Sequence, residues 1–178
     1  MATIINGTTG IDKIQDGTVV DADIASLAAS KLTGSLPAGM GGKVLQVVEA
    51  IPTANTDTTS SSFVATDFEV TITPSSTSSK ILITVNGHYY TPANEQCAFD
   101  IYRDNTTSIT GETHGLGNFW YESTRGRFPF SVAKIDSPST TNATTYTLYI
   151  KKTTGSNNTS IPNNLSSKNT ITAMEISG

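Results

Sequence analysis

Reactive side chains are scarce in this chain. Its 178 residues include one cysteine, one tryptophan and two histidines. A single cysteine, Cys97, excludes an intramolecular disulfide framework. It lies in "QCAFDIYR" with Phe99 and Ile101 on the same face of a period-two run, which predicts a small buried hydrophobe rather than a reactive thiol. Only His88 and His114 offer an imidazole base, and no Gly-x-Ser-x-Gly elbow accompanies them. Cys/His clusters and calcium-loop spacings are also missing, so neither a metal nor a cofactor is expected. Charge is sparse too: 11 basic and 15 acidic residues, scattered singly, leave a net −4. Without a basic stripe, nucleic acid and anionic membrane are poor partners. No apolar run of about twenty residues, signal peptide or lipidation motif occurs, so membrane insertion and secretion are not expected.

Hydroxyl side chains are abundant. Thr occurs 30 times and Ser 20 times. Thr favours pleated, half-buried surfaces and Ser favours turns, so the bias points to an all-β protein. Disorder is the competing reading of such a composition, but 36% hydrophobic residues set in regular runs oppose it.

The chain changes character near residue 40. Residues 1–38 are small and polar, punctuated by Gly7, Gly10, Gly17 and Gly34. Within them, "GTVVDADIASLAASKLTG" predicts a helix over about 23–32, capped by Asp21 or Asp23 and ended by Gly34. About ten residues are too few for a helix to stand alone in water. Its stripe Ile24, Leu27, Ala28 and Leu32 must therefore meet a neighbour, and we read it as an oligomer or anchor interface. "PAGMGG" then marks a hinge at 39–42. Beyond it, runs at 43–50, 62–73, 80–90, 97–104, 117–123, 127–136, 144–152 and 169–177 alternate as strands. Turn clusters such as "TPSSTSS", "RDNTTS" and "TTGSNNTS" separate them. About eight half-buried strands over 43–178 predict a β-sandwich or jelly roll, preceded by the short extended and helical segment.

Three stretches, "ITPSSTSSKILITV" (72–85), "IDSPSTTNATTYTLYI" (135–150) and "KNTITAMEI" (168–176), resemble a module recurring at the carboxyl ends of bacteriophage and cyanophage virion proteins. These are fibre and other surface structural proteins. The front stretch "DGTVVDADIASLAASKLTGSLPA" is similar to leaders that precede such modules. The resemblance covers roughly 43–178 and implies a jelly-roll domain assembling as a homotrimer. It further implies a place in a virion assembled in a bacterial cytoplasm, with residues 1–38 gripping other virion proteins. Its motifs are structural and carry over no catalytic residues. The N-x-[ST] matches at Asn6, Asn105, Asn142, Asn157, Asn158 and Asn164 have no meaning in that setting.

Two groups of residues invite a chemical reading. Asp100 with Asp104, or Glu112 with Glu122, can be paired on paper as the carboxylates of a glycan-cleaving enzyme. Fifteen acidic residues produce such pairs by chance. "HGLGNFWYESTRGR" (114–127) gathers Trp120 with Phe119, Tyr121, Arg125 and Arg127, side chains that anchor interfaces and stack on sugars. Recognition of a host-surface glycan through Trp120, Tyr121 and Arg125, a subunit interface, and ordinary core all remain open for it. The leading expectation is a non-enzymatic fibre protein displaying its β-domain outward. A capsid cement protein, a carbohydrate-binding module and a glycan-degrading enzyme are the alternatives.

Overall fold

Alternating apolar residues fix one face of each run against a core, and the pairing of runs follows from that. A computed structural model describes residues 43–92, 94–122, 126–155, 157–161 and 169–178. The helix expected over 23–32, the anchoring segment 1–38, the hinge 39–42 and the residues Ile24, Leu27, Ala28, Leu32 and Arg125 lie outside the described residues. Among those described there is no helix.

Eleven strands form in chain order: β1 (Val44–Ala50), β2 (Thr56–Thr58), β3 (Val64–Ile72), β4 (Lys80–Thr91), β5 (Glu95–Arg103), β6 (Thr107–Ser108), β7 (Gly117–Tyr121), β8 (Gly126–Asp136), β9 (Thr144–Thr154), β10 (Thr159–Ile161) and β11 (Thr170–Ile176). All eight expected strands are present, each within a few residues of its expected bounds. The count of about eight is short by β2, β6 and β10. Each of these is only two or three residues long, so no alternation marks it in the sequence.

The strands form two antiparallel sheets. In the first, β1, β11, β4 and β8 lie side by side, and β10, itself paired with β2, joins at Tyr90 of β4. In the second the order is β3, β9, β5, with β6 and β7 sharing the free edge of β5. Both sheets turn their apolar sets inward to one core. It includes Phe68 and Ile72 of β3, Ile81 and Ile83 of β4, Phe99 of β5 and Leu148 of β9. Each such side chain, removed from water, contributes roughly 1.5–3 kcal/mol. Cys97 belongs to this core, 1% exposed, and burial pushes its thiol up to about 11. The expected burial holds.

Two polar links tie the layers at their rims. Arg103 of β5 donates to Asp136 of β8 at 2.9 Å, and the Tyr146 hydroxyl of β9 donates to the same carboxylate oxygen at 2.9 Å. Burial, followed by that carboxylate, pushes the Tyr146 phenol well above its ordinary value. The second link is Glu175 of β11, which is fully buried. Its Oε1 accepts from the Ser75 amide at 2.7 Å, the Ser75 hydroxyl at 2.7 Å and the Ser79 hydroxyl at 2.6 Å. Gln46 of β1 donates to Oε2 at 2.6 Å. The turn before β4, the first strand and the last strand thus meet on one carboxylate.

Candidate interaction surfaces

Strand β7 lies at the edge of the second sheet and pairs with β5, Gln96 opposite Trp120 and Cys97 opposite Phe119. Alternation sends these neighbours to opposite sides. Phe119 turns inward, its ring 4.8 Å from that of Tyr89 and 5.2 Å from that of Phe99. Trp120 turns outward and is 59% exposed. Of the three readings left open for this stretch, core therefore falls to Phe119 and not to Trp120, because the inward parity of β7 is already taken by Phe119. Tyr121 is the last residue of β7. Of the three residues expected to recognise a ligand, the described structure places only the Trp120 side chain.

A second surface went unforeseen in the sequence. On the outer face of the first sheet, Val47 pairs with Met174, Met174 with Leu82, and Leu82 with Ile135. These four residues make an apolar row across four strands. Val47 is 55% and Ile135 51% exposed, while Leu82 and Met174 are half-buried. Val44 and Leu45, both exposed, extend the patch past the bulge in β1, beside half-buried Ile176. One signal did exist: "KVLQVVEA" is apolar at both parities, whereas a strand with one wet face alternates cleanly with polar residues.

Farther along the same face, Asn86, Gly87, His88, Pro129, Phe130 and Ser131 line an open groove, with Ser131 donating to Asn86 at 2.8 Å. His114 is exposed on the loop before β7. Both carboxylates of the first candidate pair have other partners. Asp100 is fully buried, accepting from the Ile101 amide at 2.8 Å and from the Ser108 hydroxyl. Asp104 accepts from the Thr145 amide at 2.9 Å. Glu112 and Glu122 are both exposed. The outer face of the second sheet carries its own aromatic group, Tyr102 stacked on Tyr149 at 4.0 Å. Phe63 lies 5.9 Å from Tyr102, and the Lys151 ammonium sits 4.6 Å from the Phe63 ring centre.

No protein-family model matches this chain, and no curated protein is significantly similar to it.

Proposed function

We propose that this chain is a non-enzymatic virion structural protein. In this reading it is a homotrimeric fibre, held to a phage particle by residues 1–38 and presenting its β-domain outward. The observation that carries the proposal is the apolar row Val47–Met174–Leu82–Ile135 on a sheet face. Contiguous apolar patches of this kind mark assembly surfaces on soluble domains. The strand order supports the jelly-roll form that the resemblance implies. Counting only the eight longer strands, one sheet runs first, eighth, third, sixth and the other second, seventh, fourth, fifth. That is the order made by folding a double Greek key over on itself. The three stretches that carry the resemblance fall on the turn before β4, on β8 into β9, and on β11.

Recognition of a host glycan is the second reading, favoured by Trp120 exposed on a sheet edge. An indole face can cover the apolar side of a sugar ring. The trimer is tested by light scattering of the full chain after gel filtration, which should return about three times 18.8 kDa. A monomer at micromolar concentration overturns the fibre reading.

A further inference from the structure

We infer that the outer face of the β1–β11–β4–β8 sheet packs against a second copy of this chain, with Glu49 of one copy set against Lys80 of the next. The inference rests on the homo-oligomer reading above and names the surface that makes it.

The face can be read row by row. The central row is Val47, Met174, Leu82 and Ile135. On one side of it stand Val44, Ile176 and Lys80; on the other, Glu49, Thr172, Thr84 and Ala133. Ile51, 49% exposed, extends the apolar surface beyond Glu49. Opposite side chains in such rows stand about 5 Å apart, so the apolar groups touch and leave no polar gap.

Size fits a partner of protein dimensions. Strands about 4.8 Å apart, rising about 3.3 Å per residue, give these three rows across four strands a flat projection on the order of 400 Å². Side-chain relief and Ile51 raise the accessible area toward the roughly 600 Å² per partner at the low end of specific interfaces. Charge depletion at the centre is the compositional mark of such an interface.

Charge placement selects a second copy as that partner. A surface that meets itself cannot carry a net charge without repulsion. These three rows hold one acid and one base, both exposed, and among the described residues neither is in an ion pair. Glu49 lies on edge strand β1 and Lys80 two strands away on β4, on opposite sides of the central row. A copy rotated against the first brings these unlike charges together, and a ring of copies repeats that contact at each joint.

The test uses the full chain, with association followed by light scattering and sedimentation over a range of concentrations. Leu82→Glu and Ile135→Glu should keep the β-type circular dichroism and cooperative melting of the native chain. Both should weaken association on the order of a hundredfold or more, because each leaves an unpaired charge in the contact. Glu49→Lys and Lys80→Glu should each weaken it by about fivefold, the scale of a rim ion pair. The double exchange Glu49→Lys/Lys80→Glu should recover the native value, an outcome specific to a contact between copies. A trimer unchanged in both Leu82→Glu and Ile135→Glu overturns this interface and leaves the homotrimer reading standing. A double exchange no better than either single change also overturns it. A native chain that is itself monomeric removes the homotrimer reading, and the interface with it.

Discussion

Glu175 shows how one residue can fasten three segments. Burial opposes its ionisation, yet the donors from Ser79, Gln46 and Ser75 outweigh that cost and hold the carboxyl at about 2 instead of the ordinary 4.5. The folded value lies below the unfolded one, so the stabilisation is complete above about pH 4.5 and is withdrawn as pH falls toward about 2. Glu175→Gln keeps the shape but removes the charge and turns one acceptor into a donor facing other donors. At pH 7 the change should cost about 2–3 kcal/mol, the worth of charged hydrogen bonds and of the displaced titration. Urea unfolding measures it. The gap between native and variant should narrow as pH drops from 4.5 to 2; a gap independent of pH would assign the loss to packing instead. In the sequence, Glu175 already sits at the parity of Ile171 and Ala173, which makes its burial legible. Its partners were not, because Ser75 lies 100 residues away and only tertiary pairing joins them.

Strand β7 makes the same point for a whole element. Its alternation requires that Phe119 and Trp120 face opposite ways, but the sequence does not say which is inside. The aromatic cluster of Tyr89, Phe99 and Phe128 resolves the choice, since Phe119 and Phe128 both close on Tyr89. Phe119→Ala should therefore destabilise by about 2–4 kcal/mol, at the lower end for a half-buried ring. Trp120→Ala should cost less than about 1 kcal/mol, as an exposed position does. Thermal and urea melts of the two variants check this, and a reversed order would mean that β7 is turned over. Long strands such as β4 and β9 were legible because eleven or twelve residues repeat their alternation. The pairs β2–β10 and β5–β6 were not, since their contacts come from the sheets that recruit them. The apolar outer face fell between these cases. Thr170, Thr172, Met174 and Ile176 share a parity in the sequence, but only the register through Leu82 makes Met174 the middle of a patch.

At the scale of the whole molecule, assembly and attachment are assigned to different stretches of chain. The proposed contact between copies lies wholly within 43–178, on strands whose core is shared by both sheets. Attachment to a particle is proposed for residues 1–38, where the composition is small and polar and the sequence spacing of Ile24, Leu27, Ala28 and Leu32 predicts a stripe that needs a neighbour. A chain beginning at Lys43 separates the two assignments. About 135 residues can remove roughly two-thirds of their unfolded surface from water, enough to hold a core. The shortened chain should therefore melt cooperatively with a β-type spectrum and keep the oligomeric mass expected of three copies. It should nevertheless fail to decorate phage particles that lack the protein, while the full chain decorates them. Binding at full occupancy by the shortened chain would move the anchor into the β-domain. Loss of the trimer with the fold intact would move assembly into residues 1–42, and the outer sheet face would then need another occupant. Retained trimer with lost decoration is the expected result, because the proposed contact between copies lies on the β1–β11–β4–β8 sheet and uses nothing from residues 1–42.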